Sequence, residues 1–322
     1  MDVNALEQNV LHGKEITRQE ALWLYEQPLE EVCAAADRIR RHFRGNVFDL
    51  CTIINAKSGL CPENCRFCAQ SAHHPTGAEV YPLLPAEEIA QEAARCQAQG
   101  VPRFSMVTSG RALSDREVDE MCRAAEEIRK GCGISLCISF GLLNEEQYRR
   151  LKAAGVEQVH NNLETSRRNF PNICTTHTFE DKIAAIRAAQ AAGLTVCSGG
   201  IMGLGETVED RVDMALTLRE LGINSVPINM LNPIPGTPME NNPRLTGEDM
   251  RRIVAVYRFL LPRAAIRLAG GRGLLSDKGA GCFCSGANAA ISGDMLTTAG
   301  ITVETDLALL KQLGYEVRLE DV

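Results

Sequence analysis

Three cysteines fall within eight residues, Cys61, Cys65 and Cys68, in the run CPENCRFC. Spaced as C-x3-C-x2-C, they form a short claw of thiolates, which suit iron-sulfur clusters and zinc. A four-iron, four-sulfur cube takes one ligand on each iron, so a claw that stops at three leaves one iron open to a non-protein ligand. A structural zinc knuckle would need a fourth ligand close by, recruited from His73 or His74. Zinc spacings usually come as paired C-x2-C units, so the spacing favours the cube.

Other chemistry-bearing residues are scattered along the chain. Cys137 and Cys197 lie in apolar runs, and Arg267 sits between Ile266 and Leu268. An arginine in that setting must be paired or be a ligand contact. Two thiols and an arginine at one depth suggest a second metal site, although either cysteine alone reads more simply as an inert buried thiol. VHNNLETS packs His160, Asn161, Asn162 and Glu164 into one polar run, and strand alternation puts Asn162 and Glu164 on one side. RFSMVTSG ends in the small groups Thr108, Ser109 and Gly110. VCSGGIMGLGE, with Gly199 and Ile201, has glycines that would let backbone approach a ligand, and VPINMLNPIPGTP supplies Asn229. Cys33, Cys96 and Cys122 fall in helical-looking stretches and are expected to be inert.

These residues need a frame. From Asn46 onward a short β-rich run, a turn and a charged stretch with apolar residues three and four apart recur. The expected strands are 47–57, 103–108, 134–140, 156–164, 194–201, 223–231, 264–269 and 287–292. Helices are expected near 85–99, 114–130, 144–154, 179–192, 207–221 and 246–261. Eight strands alternating with helices predict an α/β fold, a (β/α)8 barrel with its chemistry at the C-terminal strand ends. Gly100, Gly155, Gly193 and Gly222 follow helices as left-handed caps. The seventh connection, GGRGLLSDKGAGCFCSGAN, holds too many glycines for a good helix and reads mostly as loop. Residues 17–42 read as helix broken near Pro28, with Thr17 and Glu20 as a capping box, so residues 1–45 are taken as an N-terminal helical cap and 46–322 as the barrel.

At 322 residues and 45% hydrophobic the chain can bury a large core, and its net charge of -7 comes with no basic tract to bind nucleic acid. The opening MDVNALEQNVLHG has neither a basic n-region nor an apolar run, and no segment is long enough for a membrane span. A soluble, cytoplasmic protein is expected. Thirteen cysteines in a reducing compartment point to metal or cluster chemistry rather than disulfides.

The claw spacing is similar to that of the radical S-adenosylmethionine (SAM) superfamily, in which SAM chelates the open iron. More closely, CPENCRFCAQSA, HNNLETS, VCSGGIMGLGET, VPINMLNPIPGTP, IRLAGGR and GANAAISGDMLTT, in order over residues 46 to 300, resemble the biotin synthase family. The resemblance implies a homodimer that inserts sulfur into dethiobiotin to form biotin, with electrons from a flavodoxin- or ferredoxin-like donor. It assigns Cys61, Cys65 and Cys68 to the four-iron cube. Asn162, Glu164 and Lys182 fall at SAM positions, Lys182 where an arginine is usual, and Ser109, Gly199 and Ile201 join them as SAM contacts by their place at the strand ends. Asn162, Asn229 and Arg267 fall at substrate positions.

The usual family form also holds a two-iron auxiliary cluster on three cysteines and an arginine, taken to donate the sulfur. Cys137, Cys197 and Arg267 fall on three of those positions, but the fourth is Ser105 in RFSM where RFCM is expected, and a hydroxyl is a much poorer iron ligand than a thiolate. CFCSGAN meanwhile holds two cysteines, Cys282 and Cys284, where one is usual. The expectation is that ligation has moved, with Cys282 and Cys284 joining Cys197 and Cys137 at the barrel mouth around a larger, four-iron cluster with a sulfide to give away. Two other readings stand beside this one: another barrel-type radical SAM enzyme of the hydrogenase-maturase or methylornithine-synthase kind, and a non-catalytic iron-sulfur redox sensor.

Overall fold

The computed structural model describes residues 2–319. The described residues form ten strands: β1 (Val47–Lys57), β2 (Arg103–Thr108), β3 (Ser135–Ser139), β4 (Gln158–His160), β5 (Thr195–Cys197), β6 (Gly200–Met202), β7 (Ser225–Met230), β8 (Ala265–Leu268), β9 (Ala289–Ser292) and β10 (Glu316–Val317). All pair in parallel in the order β1-β2-β3-β4-β5-β7-β8-β9, and β9 returns to β1 through Asp49↔Ala289 to Thr52↔Ser292. β6 continues the line of β5 after a break and pairs with β7, so eight staves close a barrel. The predicted strands and the six main helices lie where the alternating pattern puts them, the helices at Ala86–Ala98, Asp115–Gly131, Glu145–Ala153, Phe179–Ala191, Val208–Glu220 and Gly247–Leu260.

The loops that enter these helices start them cleanly. Ser114 with Glu117, Asn144 with Gln147, Thr178 with Asp181, Thr207 with Asp210 and Thr246 with Asp249 each form reciprocal capping boxes. Each cap satisfies backbone N–H groups that a helix start leaves open, worth about 1 kcal/mol apiece. Thr17 and Glu20 do the same for Arg18–Tyr25, and Pro28 separates that helix from Leu29–Arg44. The helices over Val3–Leu11, Arg18–Tyr25 and Leu29–Arg44 pack on one another and on the helices over Val208–Glu220 and Gly247–Leu260. Their buried faces, including Leu6, Val10, Leu24 and Ile39, belong to the same continuous core as the barrel.

The connection after β8 is mostly loop, with a turn of 3-10 helix at Arg272–Leu274 and four α-helical residues at Ala280–Phe283. Sequence patterning missed the helix over Val303–Gln312 and β10, which adds to the outer start of β1 through Val47↔Glu316. Among the described residues no helix is long and apolar enough to cross a membrane.

Candidate metal centre and cofactor cavity

A cavity of about 390 Å³ opens at the C-terminal end of the barrel, and six of the thirteen cysteines line it: Cys51, Cys61, Cys65, Cys68, Cys137 and Cys197. They divide by position into two sets. Cys61, Cys65 and Cys68 lie on the loop that follows β1, and Cys51, Cys137 and Cys197 lie on β1, β3 and β5 within the barrel wall.

The claw is held by its own backbone. Cys61 N–H donates to Gln70 O, Ala72 N–H to Cys61 O and Cys68 N–H to Cys65 O. His73 Nε2 lies 2.9 Å from Pro62 O and His74 Nε2 3.1 Å from Cys65 O. Both histidines brace the loop, and neither is placed as a fourth zinc ligand. All three thiols are half-buried, and burial pushes Cys68 up to about 11. Three thiols on a preformed loop, facing a cavity with room for a further ligand, fit a cube with an open iron. Loading it must release protons, because the ligating form is the thiolate.

A group that the sequence reading missed stands behind the claw. Cys174 Sγ lies 3.7 Å from Cys65 Sγ and 3.3 Å from His177 Nδ1, and His177 in turn contacts Glu63. The hydrogen bond from Cys65, with help from His177 and Thr176, pulls Cys174 down to about 3. The run CTTH was the available signal, but nothing local tied it to the claw, more than a hundred residues away.

Most of the predicted nucleotide contacts share one wall. Ser109, Asn162, Glu164, Lys182 and Ile201 line the cavity, as do His160 and Asn161. Ser109 Oγ donates to Gly59 O, Asn162 Oδ1 accepts from Gly199 N–H, and Lys182 Nζ donates to Asn161 Oδ1. Glu164 is unusual twice over: its φ is +68°, rarely adopted outside glycine, and its Oε2 is buried with no partner. Burial raises its carboxyl above the usual range, although Lys182 and Asn162 favour the charge. A buried carboxylate oxygen without a partner beside a cavity fits a ligand that brings hydroxyl donors. Burial, with Lys182 and Arg267, drives His160 down to about 4, so its ring is neutral at pH 7.

Gly199 departs from expectation: it does not line the cavity. A Cβ there would meet Pro227 O at 1.9 Å, and one on Gly200 would meet Glu164 O at 2.4 Å. These glycines let β5 and β6 close against their neighbours, so chain meets chain where a ligand was expected.

The floor is charged. Arg267 Nη1 donates to Asp49 O and Ala290 O, and Nη2 lies 3.0 Å from Asp49 Oδ2 without good hydrogen-bond alignment. Arg103 Nη2 approaches the same carboxylate at 3.6 Å, and Arg103 Nη1 donates to Ser135 Oγ. Cys137, Cys197 and Arg267 line the same cavity, with burial pushing Cys137 up to about 12 and Ser225 Oγ donating to Cys197 Sγ at 3.1 Å. Ser105 also faces this space, paired in register with Cys137. Asn229 lines the wall above, its amide bridging Gly200 O and Gly270 N–H.

Cys282 and Cys284 do not join them. Cys282 is buried on the short helix after β8, near Cys33, Asp277 and Arg251, and Cys284 is exposed beside Asp37, Arg40 and Arg41. Neither lines the cavity, because the loop that carries them folds outward against the N-terminal helices. The shift of ligation to this pair does not fit. Cys33, Cys96 and Cys122 likewise lie off the cavity.

The chain matches the family model of the Radical SAM superfamily over residues 56–218 and that of the Biotin and Thiamin Synthesis associated domain over 227–316. It is 56% identical over 321 residues to the biotin synthase of Brachyspira hyodysenteriae, covering 100% of this chain and 96% of that one. It is equally similar to the biotin synthase of Akkermansia muciniphila, over 98% and 99% of the two chains. Among solved structures, methylornithine synthase superposes with a TM-score of 0.84 at 19% identity over 98% and 97% of the two chains. A maturase of the [FeFe]-hydrogenase gives 0.84 at 18% over 99% and 76%. Those two likenesses show a shared fold.

Proposed function

The chain belongs to the biotin synthase family of the radical SAM superfamily, and from this we propose that it inserts sulfur between two saturated carbons of dethiobiotin, forming biotin with SAM as co-substrate. The observation that carries the reading is a three-thiol claw at the mouth of a cavity whose floor holds Cys137, Cys197 and Arg267.

In this reading Cys61, Cys65 and Cys68 hold a four-iron cube, and the floor groups hold an auxiliary iron-sulfur cluster, two-iron as in the usual family form or a four-iron form with an extra sulfide. When bound, the cube supplies the electron that splits SAM into methionine and a carbon radical able to break an unactivated C–H bond, and the auxiliary cluster supplies the sulfur.

The chain's own work is binding and exclusion. The Glu164 carboxylate accepts from the ribose hydroxyls of SAM, and Asn162, Ser109, Lys182 and Ile201 border the rest of the nucleotide. Gly199 acts from behind, since its tight contact with Pro227 keeps Asn162 and its own N–H in line. Asn229, fixed by Gly200 and Gly270, presents a rigid edge for the dethiobiotin ring. The barrel walls keep bulk water from a reactive radical. No general base is required, and neutral His160 adds shape rather than charge. Electrons come from a flavodoxin- or ferredoxin-like donor, and the working unit is a homodimer.

The test is an anaerobic incubation of the reconstituted protein with SAM, dethiobiotin and a strong reductant. Biotin and 5'-deoxyadenosine together support the reading. 5'-Deoxyadenosine without biotin would instead favour a related radical enzyme, and intact SAM a redox sensor.

A further inference from the structure

We propose that Cys51 on β1 is the third thiolate of the auxiliary cluster, completing a floor set of Cys51, Cys137, Cys197 and Arg267 in which Ser105 takes no part as a ligand. This rests on the reading above and adds a residue to it.

Side chains on β1 alternate, so Asp49, Cys51 and Ile53 share the lumen side. Cys51 and Ile53 line the cavity, and Asp49 meets Arg267 below them. On the neighbouring stave Arg103, Ser105 and Val107 face the same space, with Cys51 opposite Arg103 and Ser105 opposite Ile53. Cys51 therefore stands two residues deeper along the sheet register than Ser105, level with Arg103. All four groups of the floor set line this one cavity.

Two further observations point to a ligand there. Arg103 and Arg267 are buried against a single carboxylate, Asp49, so the floor carries a surplus positive charge that anionic thiolates would balance. Among the described residues Arg103 Nε and Arg267 Nη2 have no hydrogen-bond partner, and Cys51 Sγ finds the carbonyl of adjacent Thr52, at 3.2 Å. Among the described residues the group tight enough for a single ion is Cys65, Cys174 and His177, so the floor thiols are spread more widely, as a polynuclear cluster requires. With Cys282 and Cys284 elsewhere, Cys51 is the thiol that remains to join Cys137 and Cys197 in the cavity. A thiolate also binds iron far better than the Ser105 hydroxyl.

The experiment compares wild type, Cys51→Ser and the double variant Cys51→Ser/Ser105→Cys after anaerobic reconstitution, reading iron and sulfide per chain and Mössbauer spectra. Wild type should carry the cube and a second cluster. Cys51→Ser should keep the cube's signature, which also reports correct folding, and lose the second cluster's iron. The double variant should regain it, because Ser105 neighbours Cys137 in register and a thiol there reaches the same space. Full second-cluster iron in Cys51→Ser overturns the assignment of Cys51 and leaves the proposed function standing. Wild type without a second cluster overturns both.

Discussion

Arg267 Nη2 lies 3.0 Å from Asp49 Oδ2 at the closed end of the cavity, with both side chains no more than 3% exposed. Arg103 reaches the same oxygen at 3.6 Å, so one carboxylate compensates two buried cations. Asp49→Ala strands both guanidinium groups and should destabilise the metal-free chain by about 3–5 kcal/mol, read from urea unfolding midpoints. Burial works to raise the Asp49 carboxyl, but Arg267 and Arg103 outweigh it and hold it below its usual value. Its contribution should therefore be complete above about pH 4 and fade as the pH falls further. An unchanged midpoint in Asp49→Ala would mean that the floor relaxes to admit water.

Glu164→Gln keeps the size of the side chain and removes its charge. If Oε2 receives hydroxyl donors from SAM, the loss should be about 1.5–3 kcal/mol, or roughly 10- to 150-fold in SAM affinity, with little change in unfolding midpoint. Equilibrium dialysis on the reconstituted enzyme reads it. Equal affinity in the two proteins would move the ribose elsewhere.

His160 gives a pH dependence of its own. Its folded value near 4 lies below the usual imidazole value of about 6.5. The folded chain thus resists a proton that the unfolded chain accepts, so stability is full above about pH 6.5 and declines as the pH falls toward 4. The decline attributable to His160 is at most about 3 kcal/mol, less where cavity water reaches the half-buried ring. His160→Gln should flatten the pH profile of the metal-free chain across this window, and an identical slope would shift the effect to another group.

Gly199→Ala forces a methyl into Pro227 O. Overpacking between β5 and β7 should cost about 1–3 kcal/mol in thermal unfolding of the metal-free chain. A preserved melting temperature with weakened SAM binding would restore the view that this glycine admits the nucleotide.

The barrel was legible because its signals are local and repeated: short β-rich runs, charged stretches with apolar residues three and four apart, and glycines at helix ends such as Gly100 and Gly193, both at positive φ. The claw was legible because its three cysteines fall within eight residues. Cys51 escaped notice because alternation on a strand buried on both faces cannot tell lumen from outer layer until the register with β2 and β9 is known. Cys282 and Cys284 misled for the opposite reason, since glycine content foretold the loop between β8 and β9 but not the side to which it folds. Cys174 meets Cys65 only through tertiary folding, which no local spacing encodes.

β1 is both the seam of the barrel and the stem of the claw: its inner half zips to residues 289–292, its start to residues 316–317, and its exit leads into Cys61. A ribosome must therefore release the chain past residue 292 before this stave has both neighbours. Removing residues 289–317 would accordingly leave the first half of this stave unpaired on one side and so loosen the loop that carries Cys61, more than two hundred residues away in sequence.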